Sequence, residues 1–175
     1  MDISRRVLLL STFMTAGCSA SVESDNSLIK SNAIKGENTG SSFELYSVGR
    51  VKRKGKAVSL SIFKKYTDAL KGLGGFSHVF VLYWFDRNNT PEKRSILQVH
   101  PRGNKKNPLT GVFACRAPVR PNLIALSLCR ILSVKNNIVY IENIDALHNS
   151  PILDIKPYIP QIDHKIKDVR LPDWL

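Results

Sequence analysis

The run of residues 76–85, Phe-Ser-His-Val-Phe-Val-Leu-Tyr-Trp-Phe, most limits how this 175-residue chain can fold. Aromatic and β-branched residues are enriched in strands, so this run predicts a central β-strand. We also expect strands at residues 43–51, 57–62, 95–100, 109–116 and 138–142, an extended run within 147–155, and one short helix at 63–73. Residues 123–134 are apolar with little helical spacing. This pattern favours a mainly β barrel or sandwich over βαβ winding.

Prolines stiffen two polar strings, Arg116-Ala-Pro-Val-Arg-Pro-Asn122 and Asp154-Ile-Lys-Pro-Tyr158. Proline biases its predecessor toward an extended conformation, so Arg120 and Lys156 are expected to be extended. Rigid loops at the ends of strands often carry binding sites, and arginine can pair with carboxylate or phosphate oxygens. The candidate contacts to an anionic, planar substrate are Arg120, Asn122, Asp154, Lys156 and Tyr158. The alternative is two proline-rich connections with solvated charges.

The chain is strongly basic, with 26 Lys and Arg against 14 Asp and Glu, a net charge of +12. Such a surplus attracts polyanions, and nucleic acid is the commonest partner. An anionic membrane surface also fits, and solubility alone is the third interpretation. The basic residues recur along the chain instead of forming one tail, which favours a basic face on a folded domain.

Residues 1–17 have the layout of a secretory signal: the pair Arg5-Arg6, a short apolar stretch, and small residues before Cys18. The apolar stretch is too short for a membrane-spanning helix, which needs about 20 residues. The position of Cys18 directly after Ala-Gly resembles a bacterial lipobox and predicts lipidation and membrane anchoring there. The alternative is an uncleaved N-terminal extension or a misassigned start codon.

The domain boundaries follow from composition. Residues 18–42 are rich in Ser, Asn, Gly and Lys and are predicted to be a flexible tether. The folded domain is expected at residues 43–163, followed by a polar C-terminal tail at residues 164–175. The protein is an exported lipoprotein if the leader functions, and otherwise it is cytoplasmic.

No metal site is expected, because no Cys-x-x-Cys motif and no histidine cluster is present. Cys115 and Cys129 could pair in an oxidising compartment, but each lies in an apolar run and is more simply a buried small hydrophobe. The spacing of Asp145 and Asp154 does not establish a carboxylate pair. The chain also lacks a Gly-x-Gly-x-x-Gly turn and a Walker loop, so a classical nucleotide-binding fold has no support.

The first polar string belongs to a longer stretch, Gly111-Val-Phe-Ala-Cys-Arg-Ala-Pro-Val-Arg-Pro-Asn-Leu-Ile-Ala-Leu-Ser127. It resembles the signature of the TsaA-like family, Gly-Val-Phe-Ala-Thr-Arg-Ser-Pro-x-Arg-Pro-Asn-Pro-Ile-Gly-Leu-Ser. Further matching segments are Phe76-Ser-His-Val, Tyr83-Trp-Phe85, Val99-His-Pro-Arg-Gly103, Asn107-Pro-Leu-Thr-Gly111 and Leu153-Asp-Ile-Lys-Pro-Tyr-Ile-Pro160. The resemblance covers residues 43–163.

The resemblance implies a single-sheet β-barrel with one or two short helices that binds S-adenosylmethionine. Family members methylate the exocyclic N6 of threonylcarbamoyladenosine next to the anticodon of threonine tRNA, and they are typically homodimers. The positions that match the family's cofactor contacts are His78, Val79, Arg116, Leu126, His148, Asn149, Ser150 and Pro151. No catalytic residue is assigned.

The chain departs from the family pattern at several of these positions. The family's Asp-Gly-Thr-Pro turn is His148-Asn149-Ser150-Pro151 here, which replaces an acid and a glycine. Asn149 can still take a left-handed turn conformation. The family's proline and glycine after Arg-Pro-Asn are Leu123 and Ala125, so Ala125 would crowd a closely bound ligand.

The leading interpretation is an S-adenosylmethionine-dependent methyltransferase that modifies tRNA. The alternative is an exported, lipid-anchored module that binds a nucleoside-like or anionic ligand without catalysis. A third interpretation is a surface protein that binds nucleic acid and has no small ligand.

The leader generates a direct prediction. If Cys18 is lipidated, intact-mass and peptide mass spectrometry of the native protein will find a diacylglyceryl-modified Cys18 at the N-terminus. A native chain that begins at Met1 or Asp2 contradicts both cleavage and lipidation.

Overall fold

The chain forms a closed barrel in a computed structural model that describes residues 43–164 and 168–175. Six strands follow one another around the barrel in the order β1, β2, β7, β6, β3, β8, and every pair is antiparallel. A separate two-stranded sheet pairs β4 with β5. In chain order the strands are β1 Gly49–Lys54, β2 Ala57–Ile62, β3 His78–Trp84, β4 Gln98–Val99, β5 Thr110–Gly111, β6 Ile124–Lys135, β7 Ile138–Ile141 and β8 Pro151–Pro157.

The barrel interior is filled by alternate side chains of each strand. In β3, Val79, Val81 and Tyr83 are buried, while the residues between them face outward. The same alternation in β2 buries Val58, Leu60 and Ile62. This period of two is what the pleat of a strand imposes, and it makes the interior a packed apolar core.

Strand β1 begins at Gly49, later than the strand expected at residues 43–51. Residues 43–48 carry no strand assignment. A Cβ at Gly49 would lie 2.5 Å from the carbonyl oxygen of Ser61, so a side chain there would collide with β2. Gly49 therefore allows the two strands to pair closely and is not a turn.

Short helices replace part of the expected pattern. Residues 63–73 form two 3₁₀ segments, Lys64–Leu70 and Leu73–Gly75, instead of one helix, because Gly72 between them has a φ of 86°. The strand expected at 109–116 is only Thr110–Gly111 before another 3₁₀ turn. The strand expected at 95–100 shortens to β4, preceded by helix α1, Pro91–Ser95. Helix α2, Pro160–Asp163, follows β8.

The two described cysteines are free thiols. Cys129 faces the barrel core at 2% exposure, and this burial raises its pKa to about 11. Cys115 is partly exposed, with its thiol 3.9 Å from the carbonyl oxygen of Val112. The expected burial is therefore found at Cys129, whereas Cys115 lies at the wall of an open cleft.

The predicted leader at 1–17, its lipidation site Cys18 and the tether at 18–42 lie outside the described residues. Among the residues that are described, no helix is long and apolar enough to cross a membrane. Within the same residues, no group of His, Cys, Asp and Glu side chains has the arrangement of a metal site.

Candidate functional site

A cleft with a volume of about 630 Å³ opens where β6 extends past the end of β7. β6 pairs with β3 from Ile124 to Arg130, but it pairs with β7 only from Ile131 onward. One edge of the first half of β6 therefore has no strand beside it. Loop residues 113–116 and 143–145 wall the cleft around this edge.

The hydrogen-bond pattern shows which backbone groups face this cleft. Ile131 donates its N–H to Ser77, and Leu123 accepts from the N–H of Phe85, so the odd-numbered residues of β6 bond with β3. The N–H and C=O of one residue point to the same side of an antiparallel strand. The amide groups of Leu126 and Leu128 therefore face the cleft, as does the carbonyl of Arg130, which accepts from Glu142 just beyond it.

The string 116–122 is held in place by side chains that donate to its carbonyl groups. The guanidinium of Arg120 donates to the carbonyls of Val112, Cys115 and Ala117. Arg94 donates to Pro121, and Asn88 donates to Pro118. Arg120 was predicted to contact the substrate, and it borders the cleft, but three of its five N–H donors already serve the loop. Its position favours the alternative of a structural arginine.

Arg116 has the opposite character. Its side chain is exposed at the wall of the cleft, and no hydrogen bond to another described residue engages it. An exposed guanidinium without an internal partner can bind a carboxylate or a phosphate. Asn122, predicted as a substrate contact, is also exposed but lies outside the cleft wall.

Two side chains fix the loop on the opposite wall. Arg53 donates to the carbonyls of Ile144 and Ala146, and Tyr83 donates to the carbonyl of Asp145 between them at 2.6 Å. Burial raises the pKa of Tyr83, so its hydroxyl stays protonated and remains a donor. Three successive carbonyls are thus satisfied, and Asp145 is held at the cleft. Its carboxylate forms no ion pair with any described residue.

The turn predicted to contact the cofactor, His148 to Pro151, packs against β1. The Nδ1 atom of His148 accepts from the backbone N–H of Arg53 at 3.0 Å. Asn149 has a φ of 70°, the left-handed conformation expected for it. Ser150 is buried and Pro151 begins β8. The structure thus brings this turn close to the Asp145 loop, although its residues are not part of the cleft wall.

His78 and Val79 lie at the other end of β3 from Tyr83. The ring of His78 bonds with Ser77 at 2.9 Å and lies edge-on to Tyr158, with centroids 6.4 Å apart. Val79 is fully buried in the core. A single chain therefore does not bring these two residues to the cleft that contains Arg116 and Leu126.

The second polar string lies on β8, away from the cleft. Asp154 and Lys156 form an ion pair at 2.8 Å, and the hydrogen bond to Asp154 raises the pKa of Lys156. Asp154 also borders a smaller, mainly apolar cleft of about 310 Å³ at the opposite end of the barrel. The structure therefore separates Asp154, Lys156 and Tyr158 from Arg116.

Sequence reasoning missed Asp145, Tyr83 and Arg53 as parts of the site. Tyr83 was interpreted only as a member of the apolar strand, and Arg53 only as one basic residue among many. Their roles arise from contacts across 62 and 91 residues of chain, to Asp145 and Ile144 respectively. No local pattern in the sequence signals such contacts.

Residues 48–164, more than half of the chain, match the family model described as the tRNA-methyltransferase O N-terminal domain. The chain belongs to this family. A probable S-adenosyl-L-methionine-binding protein of Methanocaldococcus jannaschii is 40% identical over 121 residues, which cover 69% of this chain and 96% of that protein. A tRNA (adenine(37)-N6)-methyltransferase of Rattus norvegicus is 43% identical over 103 residues, covering 59% of this chain and 23% of that protein.

The crystal structure of TrmO from Pseudomonas aeruginosa aligns with a TM-score of 0.57 at 26% identity. The alignment covers 74% of this chain and 62% of that one, so this member of the tRNA-methyltransferase O family spans less than two thirds of the solved chain. The predicted family, its S-adenosylmethionine-dependent methyltransferase class and its cofactor are confirmed. The mainly β barrel is confirmed as a closed six-stranded one.

Substitution of the two arginines separates their roles. Arg120→Ala should lower the free energy of unfolding by about 2–4 kcal/mol, because buried carbonyls lose a charged donor. Arg116→Ala should change it by less than about 0.5 kcal/mol, because the side chain is exposed and unbonded. Urea unfolding followed by circular dichroism measures both. Equal stabilities of the two variants would contradict the structural role of Arg120.

Proposed function

We propose that this chain transfers the methyl group of S-adenosylmethionine to the N6 atom of threonylcarbamoyladenosine beside the anticodon of a tRNA. The observation that carries the proposal is the cleft at the open edge of β6. It combines unpaired backbone groups, the free guanidinium of Arg116 and the unpaired carboxylate of Asp145. The family to which the chain belongs and the names of its relatives support this substrate class.

The donor set of the cleft fits the cofactor. The amide groups of Leu126 and Leu128 offer a donor and an acceptor to the edge of an adenine ring, as a neighbouring strand would. The exposed Leu126 and Phe113 side chains offer apolar contacts to its faces. The negatively charged carboxylate of Asp145 can attract the positively charged end of the cofactor. When bound, the cofactor supplies a methyl group on a positively charged sulfur.

The substrate assignment rests on Arg116, which the family resemblance places among the cofactor contacts. Threonylcarbamoyladenosine carries a carboxylate, and an exposed arginine at the wall of the cleft can bind it through two parallel hydrogen bonds. Arg116 would thereby orient the N6 atom toward the methyl group. Such positioning is the main source of rate enhancement in a transfer that needs no covalent enzyme intermediate. Arg120 contributes by holding the loop that carries Arg116.

The alternative of a binding module without catalysis has less support, because both the family model and the rat relative are methyltransferases. Export and lipidation at Cys18 remain a proposal that rests on the leader sequence alone. An exported copy would meet neither S-adenosylmethionine nor tRNA, so the methyltransferase proposal favours a cytoplasmic chain.

Isothermal titration calorimetry with S-adenosylmethionine on the full chain tests the cofactor step. We expect a Kd in the micromolar range or tighter, and at least about tenfold weaker binding by Asp145→Asn. The absence of binding up to millimolar ligand would defeat the proposal. Methyl transfer to tRNA that carries threonylcarbamoyladenosine tests the substrate step. Arg116→Ala should raise the KM for this tRNA while leaving cofactor binding within about twofold.

We also propose that the chain is a homodimer through the outer face of β6, β3 and β8. Leu126, Leu128 and Leu132 are 44%, 50% and 59% exposed on β6. Phe80 and Leu82 of β3 lie beside Leu128 and Leu126 on the same outer face. This apolar strip of β6 and β3 is flanked by Arg130 and by the ion pair of Asp154 and Lys156 on β8, and a monomer seldom leaves such a strip in water. His78 lies at the edge of this face, so a second copy would cover two of the predicted cofactor contacts, His78 and Leu126.

Light scattering on a size-exclusion column checks the dimer. The wild-type chain should elute with twice the monomer mass, and Leu128→Glu should elute as a monomer because a carboxylate would be buried in the interface. Leu97→Glu is the matched control, since Leu97 is 61% exposed just before β4 and lies outside this face. A monomeric wild type, or a dimeric Leu128→Glu variant, would rule out this interface.

A further inference from the structure

The outer surface of β1, β2 and β7 concentrates positive charge on a sheet. We define the basic face as the outward polar residues of these strands with the lysine of the β1–β2 turn: Arg50, Lys52, Lys54, Lys56, Ser59, Ser61 and Tyr140. Alternation along β1 places Arg50, Lys52 and Lys54 in one line, with neighbouring cations roughly 7 Å apart. None of the three strands contains an acidic residue.

The cations of this face are not neutralised by the protein. Within the described ranges, the single ion pair between Lys or Arg and a carboxylate is that of Lys156 with Asp154, on β8. Glu142, directly after β7, is the nearest acidic residue along these strands. Charges left without internal partners on a sheet favour an external polyanion.

Cross-strand register places other useful groups beside these cations. Lys52 lies opposite Ser59, and Ser59 lies opposite Tyr140, so the three form one row across the sheet. Tyr140 is 38% exposed. A line of cations beside hydroxyl groups and an exposed aromatic ring is the combination that binds single-stranded nucleic acid, through phosphates and base stacking.

The basic face is hydrogen-bonded to the turn that follows the cleft loop. Arg50 donates to the backbone carbonyl of Asn149 at 3.0 Å, and Lys52 donates to its side-chain oxygen at 2.7 Å. Arg53, which follows Lys52 on β1, holds the loop that carries Asp145 at the cleft. A strand lying along β1 would therefore pass beside the loop that walls the cleft.

We propose that the basic face binds the single-stranded RNA that flanks the nucleotide in the cleft, with its phosphates along β1 and a base on Tyr140. The inference rests on the proposed function and adds the surface on which the RNA lies. It assigns a role to the β1–β2 hairpin, which the cleft itself does not use.

The test compares two triple variants of the full chain. In the first, Lys52, Lys54 and Lys56 are each changed to Gln. In the matched control, Lys64, Lys65 and Lys71, which follow β2 toward the opposite end of the barrel, are each changed to Gln. Both variants lose three positive charges, so any difference between them reports position instead of net charge. Circular dichroism verifies that both keep the barrel.

Binding of a short RNA stem-loop is measured by fluorescence anisotropy over a range of salt concentrations. Each single-strand phosphate contact contributes about 0.7 to the slope of log K against log salt. The magnitude of this slope should therefore be smaller by about 2 for the first variant than for the wild type. The first variant should also bind RNA at least about tenfold more weakly at low salt, while the affinity of the control stays within about twofold of the wild type. Tyr140→Ala should weaken binding of the stem-loop by about fivefold or more without affecting the binding of a blunt RNA duplex.

Several outcomes would overturn the proposal. Equal loss of RNA affinity in the two triple variants would assign the effect to net charge. Unchanged RNA affinity in the first variant would exclude this face as the RNA-binding surface. If the first variant no longer binds phosphatidylglycerol vesicles but still binds RNA, the basic face is a membrane-binding surface. If the wild type binds S-adenosylmethionine but no RNA, the tRNA part of the proposed function fails as well. If wild type and first variant bind RNA equally, only this surface is wrong.

Discussion

The early end of β7 beside β6 is the constraint on which the rest of the site depends. A closed barrel normally pairs the backbone amides of its strands, but β6 keeps an edge from Ile124 to Leu128 with no strand beside it. Unpaired amide groups must find other partners, and here they line an open cleft. A ligand with its own donors and acceptors can take the place of the missing strand. The cleft is thus a consequence of strand length and not of a special motif.

Arginine serves this chain in two ways that composition cannot distinguish. Arg53 and Arg120 are turned toward the protein, where each donates to carbonyls of a loop that walls the cleft. Arg116 and the outward cations of β1, Arg50, Lys52 and Lys54, have no carboxylate partner among the described residues. The prolines of the 116–122 string supply carbonyls but no N–H groups, so its backbone depends on donors from elsewhere. The basic charge of the chain is therefore partly structural and partly free to bind an anion.

Much of the fold could be predicted because it follows from local pattern. The alternation in residues 57–62 and the apolar run 76–85 correctly located β2 and β3, since a pleated strand has a period of two. Other predictions were wrong where tertiary contacts override local preference. The expected helix at 63–73 became two 3₁₀ segments at the barrel end, and the strand expected at 43–51 begins only at Gly49. The hydrogen bonds of Arg120 to the carbonyls of Val112 and Cys115 were not predicted, because these partners lie outside the string.

The sequence by itself determined the family, the mainly β class, the surplus of positive charge and the rigid strings, because each depends on residue identity or on short-range order. Only the tertiary structure decided which of the polar residues meet. It placed Arg116, Leu126 and Asp145 around one cleft and set His78, Asp154 and Lys156 apart. It also aligned Arg50, Lys52 and Lys54 beside Tyr140. Such groupings depend on barrel closure and on register between strands distant in sequence, and these are properties of the whole fold.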